Sequence, residues 1–302
     1  MAISKDSVTT TTLFTLNNGT RMPAVGLGTY RVRCNDVIMQ AVDDALAAGY
    51  RLFDTAAVYR NEALLNNAFK KLLPKYGLER DDIFITTKLL PIEYTGSTAI
   101  ERAYQNSINN LGVDYVDLFL IHFPGLHKVD YNDKRHSEIR KTNWRALVKL
   151  YDDGRVNAIG VSNYTVQHLK ELIKCSHDTI PTVNQVEWHP FYYQNELLSY
   201  CKENDIVVQA YNSFGGASTS DDTLLKHPIV TKIAKKLEVT NAQVLLSWAL
   251  QKDIAVIPKS TNADHIKQNI SLDFKIPTED MKALDDLGHH NIKYAWDPKH
   301  IA

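Results

Sequence analysis

The chain has 302 residues, 44% of them hydrophobic, and its 34 Lys and Arg nearly balance its 35 Asp and Glu. That balance leaves no basic stripe for nucleic acid, and no block of like charge that would make an acidic tail or a polybasic membrane segment. Three widely spaced cysteines, Cys34, Cys175 and Cys201, suggest neither a disulfide framework nor a zinc cluster.

The first twelve residues, MAISKDSVTTTT, contain no apolar core of the kind a signal peptide carries. No apolar run approaches the ~20 residues of a membrane helix, so the expectation is a cytosolic chain without membrane or nucleic-acid partners. The acceptor patterns at Asn18, Asn163 and Asn269 then read as chance. "TLFTLNNGTRMPAVGLG" predicts a β-hairpin around Asn18-Gly19, a pair that tolerates positive φ at both turn centres.

A regular alternation follows. Short apolar runs lie at Gly26 to Tyr30, Arg51 to Asp54, Ile83 to Lys88, Val116 to His122, Val156 to Ser162, Val183 to Glu187, Val207 to Tyr211 and Ile254 to Lys259. They lack clean polar alternation, which suits strands buried on both faces of a parallel sheet. Between them come amphipathic stretches. "NDVIMQAVDDALAAG" ends in Gly49, "GSTAIERAYQNSINNLG" has Ser97 as an N-cap candidate, and "TNWRALVKLYDDG" and "NAQVLLSWALQKD" repeat the pattern. Eight strands, each followed by a helix, predict a (β/α)8 barrel in the α/β class. A doubly wound open sheet is the alternative. No linker divides the chain, so residues 1–302 are expected to form a single domain.

Two segments break the alternation: a long connection after the fourth strand, Phe123 to Lys141, and a tail from Gly288 to Ala302. Long loops in compact domains are often functional, and Tyr294 and Trp296 in the tail are candidates to cover the barrel mouth. His127, His136 and His177 sit in polar stretches and are expected to be exposed. His289-His290 lacks a third ligand for a metal, so no metal site is expected.

Active sites of such barrels lie at the C-terminal ends of the strands. There the sequence places Asp54, Lys88, His122, Ser162-Asn163, Gln185 with Glu187, Tyr211, and Lys259-Ser260. Buried charges persist when paired, and Asp54 with Lys88 on adjacent strands could form such a pair. A charged Lys88 would then lower the pKa of a nearby phenol, and Tyr59 lies in the following loop. With His122 as a hydrogen-bond donor, the group suits a carbonyl oxygen becoming an alkoxide. No side chain donates a hydride, so a cofactor must supply it. The G-x-G-x-x-G fingerprint is absent; "GLGT" and "FGG" are too short. "IPKSTNADHIKQN" offers another device, in which Lys259 and Ser260 end a strand and Asn262 or Thr261 starts a helix, a setting that favours phosphate.

These residues resemble the aldo-keto reductases over nearly the whole chain. "GYRLFDTAAVYRNE" is similar to the family's first signature, "VDLFLIHFP" to its second, and "IPKS" with "HIKQN" to its third; "ITTK", "GVSNY", "NQVEWHP" and "QAYNSFG" fit as well. The resemblance implies a barrel that binds NADPH in extended form and a catalytic tetrad of Asp54, Tyr59, Lys88 and His122. Tyr59 would be the general acid, Lys88 paired with Asp54 would depress its pKa, and His122 would orient the carbonyl. Ser162, Asn163 and Gln185 would hold the carboxamide, Tyr211 would stack on the nicotinamide, and Asn212, Ser213 and Phe214 would line the pyrophosphate. Lys259, Ser260, Thr261, His265, Gln268 and Asn269 would surround the adenosine phosphate, with Gly28, Thr29, Tyr30 and Asp54 also along the cofactor. Tyr30, Tyr59, His122, Phe123 and Trp296 would form the substrate pocket. The resemblance also implies a monomer.

The chain departs from the family pattern in places. His265 stands where many members have Arg, which predicts a weaker, pH-dependent grip on a 2′-phosphate, although Lys259 still favours NADPH over NADH. Tyr30 and Phe123 stand where many members have Trp, and Asn212 replaces Ser. "GTYR", "IHFPG" and "KYAWDP" are similar to a branch that includes prostaglandin F synthase-like and 9,11-endoperoxide prostaglandin H2 reductase-like proteins of animals. Two other classes compete with a carbonyl reductase. One is an NADPH-binding barrel that serves as a non-catalytic subunit. The other is a Schiff-base aldolase using Lys88, which would require that lysine to lack a carboxylate partner.

Overall fold

A computed structural model describes residues 12–92, 97–126, 128–175, 179–216 and 220–302. The predicted hairpin is present as β1 (Leu13–Thr15) and β2 (Arg21–Pro23), antiparallel with Leu13 opposite Pro23. Gly19 takes φ +88° in its turn, a region open to glycine without strain. Asn17 and Asn18 donate to the carbonyls of Pro181 and Asn157, just ahead of two barrel strands. The hairpin therefore lies against the N-terminal ends of the strands, away from the end where a site is expected.

Eight parallel strands follow in chain order: β3 (Leu27–Gly28), β4 (Leu52–Asp54), β5 (Phe84–Leu89), β6 (Leu118–Ile121), β7 (Ile159–Ser162), β8 (Val183–Glu187), β9 (Val207–Tyr211) and β10 (Ala255–Val256). Each pairs with its sequence neighbour, and parallel bridges Val25–Val256 and Gly28–Lys259 join the last strand to the first. The sheet is thus a closed barrel, and the doubly wound alternative does not apply. Around it run α1 (Asn35–Ala47), α2 (Glu62–Lys75), α3 (Ser97–Leu111), α4 (Arg135–Asp152), α5 (Val166–Cys175), α6 (Asn195–Glu203), α7 (Pro228–Leu237), α8 (Asn241–Leu250), α9 (Ala263–Ile270) and α10 (Thr278–Asp285). The strands bury nearly every residue, as the uninterrupted apolar runs require.

Several strands are shorter than their apolar runs, for local reasons. β10 stops at Val256 because Pro258 has no N–H to extend a ladder; its carbonyl instead accepts from Gly28 N–H at 3.0 Å. Just before β6, Asp117 turns its carboxylate onto Ile85 N–H at 2.8 Å, so a side chain takes a ladder position. Helix α3 begins at Ser97 itself, and what precedes it lies outside the described residues.

The long connection after the fourth strand is shorter than expected, because α4 begins at Arg135. The segment Arg135–Lys141 shows no apolar period since its inward face is polar. His136 is fully buried, not exposed: its Nδ1 accepts from Leu126 N–H at 3.0 Å and its Nε2 meets Asp130 O at 2.7 Å. Arg140, also buried, bonds Pro124 O, Ala302 O and Glu171. His127 and His177 lie outside the described residues. His289 and His290 are exposed, and the described residues contain no cluster suited to a metal ion. No helix among them is long and apolar enough to cross a membrane.

Barrel closure depends on glycine at position 28, where a Cβ would sit 2.7 Å from the Ile257 carbonyl oxygen. Gly28→Ala should therefore cost about 1–3 kcal/mol of stability through forced backbone displacement. The shift in urea midpoint at unchanged slope measures this; an unchanged midpoint would mean that the two strands can part without cost.

Candidate active site

The strand ends converge as the sequence anticipates. Asp54 closes β4, Lys88 lies in β5, and His122 follows β6 with its N–H bonded to Leu89 O at 2.8 Å. Lys88 Nζ donates to Asp54 Oδ1 at 2.6 Å, to Thr55 O at 2.8 Å and to Tyr59 Oη at 3.4 Å. All three ammonium hydrogens are thereby committed. The other carboxylate oxygen of Asp54 accepts from Gln185 Nε2 at 2.7 Å, and the same amide nitrogen reaches Gln209 Oε1 at 2.8 Å.

Tyr59 ends a short 3-10 turn, Ala57–Tyr59, which Arg60 stops with φ +59°. The next residue, Asn61, is fully buried and brackets two loops. Its Nδ2 donates to Thr29 O and Val32 O, and its Oδ1 accepts from Thr55 Oγ1 at 2.6 Å. The Tyr59 ring lies 5.7 Å from the His122 ring, edge to face, and 5.1 Å from Tyr30.

Electrostatics differ from the sequence expectation at one point. Burial pushes the Tyr59 phenol well above its usual range, with the Asp54 carboxylate, Tyr211 and Tyr30 adding to the rise. Burial and the Asp54 carboxylate prevail over any lowering by Lys88, whose contact with the phenol is long at 3.4 Å. Burial also pushes Lys88 down and Asp54 up, each opposed by the charge of the other. His122 is held far below the ordinary histidine range by burial and then by Lys88, so its imidazole is neutral at pH 7.

The remaining predicted residues divide. Asn163, at φ +64°, gives Nδ2 to His122 O at 2.9 Å and to Ser162 Oγ, and its Oδ1 takes the Tyr211 hydroxyl at 2.6 Å. Ser162 Oγ donates to Gln185 O. Thr29 is turned onto the Asp54 carbonyl at 2.8 Å, so its hydroxyl supports the strand end. Tyr211, Asn212 and Phe214 are partly buried, and Ser213 is buried. Asn262 caps α9 by accepting from His265 N–H, which selects Asn262 over Thr261 as the helix start. Lys259, Thr261 and His265 are exposed beside that cap, while Ser260 and Asn269 are buried and Gln268 is intermediate. Since β9 pairs with β10, these residues continue the strip that starts at Tyr211. Two buried polar atoms here have no hydrogen-bond partner among the described residues, His122 Nδ1 and Ser213 Oγ. Polar orphans along one strip fit a polar ligand there.

The tail only partly follows expectation. Trp296, 53% exposed, lies 5.7 Å from the His122 ring and 5.6 Å from Phe123, over the mouth. Tyr294 turns away and packs on Gly215 and Gly216. What the sequence did not mark is the anchor, Glu187. Burial would raise its carboxyl, but bonds from His189, Lys293 and the Tyr294 N–H hold it at about 2. The one available signal was a carboxylate at a strand end with no Lys or Arg near it in sequence.

The Aldo/keto reductase family model matches residues 24–289. Glyoxal reductase of Bacillus subtilis is 39% identical over 273 residues, covering 90% of this chain and 91% of that one. The 9,11-endoperoxide prostaglandin H2 reductase of Trypanosoma cruzi is 38% identical over 275 residues, again 90% of each. Among solved structures, a Bombyx mori aldo-keto reductase in complex with NADP superposes with a TM-score of 0.83 at 32% identity, covering 91% of this chain and 92% of that one.

Removing the cation from the buried pair strands a carboxylate. Lys88→Met should cost about 3–5 kcal/mol, and Lys88→Met with Asp54→Leu should recover most of it. Equilibrium denaturation of the two variants tests this; equal losses would mean that the pair is not coupled.

Proposed function

The chain belongs to the aldo/keto reductase family, and from that premise we propose that it reduces aldehydes and ketones to alcohols with NADPH, using Tyr59 as the acid. The observation that carries the reading is the convergence of Tyr59, His122 and the Asp54–Lys88 pair on one rim. When bound, the nicotinamide supplies a hydride to the carbonyl carbon. The side chains handle the oxygen. Neutral His122 can donate to it and orient it, and Tyr59 gives it a proton as the alkoxide forms. A phenol held high is stored protonated at neutral pH, which is the form an acid must have. The resulting phenolate would sit against the Lys88 ammonium, whose third hydrogen already points at Tyr59 Oη. That hydrogen bond is how Lys88 assists Tyr59, in place of a lowered resting pKa.

Cofactor residues are proposed from the same strip. Asn163, Ser162 and Gln185 face the nicotinamide end, Tyr211 offers a ring beside it, and Asn212, Ser213 and Phe214 follow along the pyrophosphate. Lys259, Ser260, Thr261, His265, Gln268 and Asn269 surround the adenosine phosphate at the N-terminus of α9, where a helix favours an anion. Gly28 and Tyr30 edge the strip. Tyr30, Phe123 and Trp296 wall the substrate side, which suits flat apolar aldehydes. Residues 1–302 are proposed to act as a single cytosolic, monomeric unit.

The competing classes have less support. An aldolase lysine must be able to attack as a free amine, and Lys88 is committed to three acceptors. A non-catalytic subunit would not need the tetrad residues that this chain keeps. Reduction of the prostaglandin H2 endoperoxide is a second substrate reading, supported by the 38% identical trypanosome relative; the glyoxal-reducing relative stands as near.

Tyr59→Phe should lower kcat by about 10²–10⁴-fold, the range of a lost proton donor, while NADPH still binds. Turnover followed at the nicotinamide absorbance, with aromatic aldehydes, α-dicarbonyls and prostaglandin H2, checks both class and branch; wild-type turnover in the variant would remove Tyr59 from the mechanism. Because His122 is neutral throughout, kcat should show no histidine inflection between about pH 5 and 8. An inflection there that vanishes in His122→Asn would contradict the assignment.

A further inference from the structure

Glu187, at the end of β8, is 1% exposed, yet four donors surround its carboxylate. Oε1 accepts from Tyr294 N–H at 2.6 Å and meets His189 Nε2 at 3.0 Å. Oε2 accepts from Ala295 N–H at 2.8 Å and Lys293 Nζ at 2.9 Å. A carboxylate this completely occupied holds residues 293–295 in one geometry.

The held turn presents an aromatic side chain in each of two directions. The Tyr294 ring lies flat on the glycines that follow the proposed pyrophosphate residues: a Cβ at Gly216 would be 2.5 Å from it, and one at Gly215 would be 3.1 Å away. Two residues on, Trp296 stands against His122 and Phe123. A separate anchor holds the tail beyond this turn. His168 meets Ile301 O at 3.0 Å, Arg140 Nη1 donates to Ala302 O at 2.7 Å, and Ala302 N–H donates to Tyr131 O at 2.8 Å. Loosening the Glu187 contacts would therefore free the turn without detaching the segment.

We propose that Glu187 is a positioning residue that couples cofactor retention to the shape of the substrate pocket, by fixing the turn that carries Tyr294 and Trp296. The proposal rests on the assignment of the Ser213 strip to the cofactor and of the Trp296 wall to the substrate. Glu187 itself touches neither ligand. Its effect reaches the cofactor through Tyr294 and the substrate through Trp296, so the two can be separated.

The test uses the full chain and NADPH, with dissociation constants from titration calorimetry and KM values for a bulky aromatic aldehyde and a small aliphatic one. Glu187→Gln keeps the shape but sets an amide N–H against donors. It should raise the NADPH Kd by about tenfold, within the usual range for coupling between sites, and should also change the ratio of the two KM values. Tyr294→Ala should weaken NADPH without moving that ratio, and Trp296→Ala should move the ratio without weakening NADPH. A purely structural Glu187 would lower the melting temperature and leave both readings at wild type, which would overturn the proposal. So would a Glu187→Gln variant that moves only one of them. Should Glu187→Gln fail to fold, Lys293→Met removes one of the four donors and must move both readings in the same directions by less. A wild-type chain that neither binds NADPH nor reduces any aldehyde would instead sink the catalytic reading, and this proposal with it.

Discussion

The 2.6 Å contact between Asp54 and Lys88 is the constraint around which the barrel mouth is organised. Neither side chain reaches water, so each charge is tolerable only through the other and through the bonds from Gln185 and to Thr55 O. The pair then acts on its neighbours in opposite senses. Burial, and then the lysine, keeps His122 neutral; burial, and then the carboxylate, keeps Tyr59 protonated. One buried ion pair thus adds to burial in fixing the protonation of both groups that would meet a carbonyl oxygen. Gln185 extends the network to Gln209 on the adjacent strand, so the pair is braced from β4 to β9.

The barrel supplies convergence, and a few polar side chains supply precision. Parallel strands in chain order bring Asp54, Lys88 and His122 to one rim whatever the loops do. Tyr59 comes from a loop and needs more. Asn61 ties its turn to the β3 loop through Thr29 and Val32, and so fixes the Tyr30 side of the pocket with the same residue. Asn163 does the corresponding work on the opposite side, joining His122, Ser162 and Tyr211 from a left-handed backbone position that asparagine tolerates better than most residues. Both are amides because each must donate and accept at once.

Much of this was readable in the sequence. Apolar runs ending in a charged residue gave strands buried on both faces with chemistry at their tips, and β8 and β9 fall on their predicted residues. What escaped reading has a common cause. The first turns of α4 bury His136 and Arg140, so the inward face there carries no apolar period to find. The sign of the Tyr59 shift depends on burial and on the nearness of the Asp54 carboxylate, and both are set by distances in space. Glu187 looked like a rim residue because its cation lies 106 positions away.

That separation has a consequence in time. On a ribosome adding about 5–20 residues per second, Glu187 is made roughly 5–20 s before Lys293. Arg140 waits longer still for the carbonyl of Ala302, which is 162 positions on. Through that interval a carboxylate and a guanidinium destined for the interior lack their final acceptors and donors. The nascent barrel can pair its strands, but Glu187 stays without three of its donors until residues 293–295 emerge. A chain stalled or clipped before Lys293 would therefore keep its sheet and differ at the mouth, where the Glu187 carboxylate would lack three of its four donors.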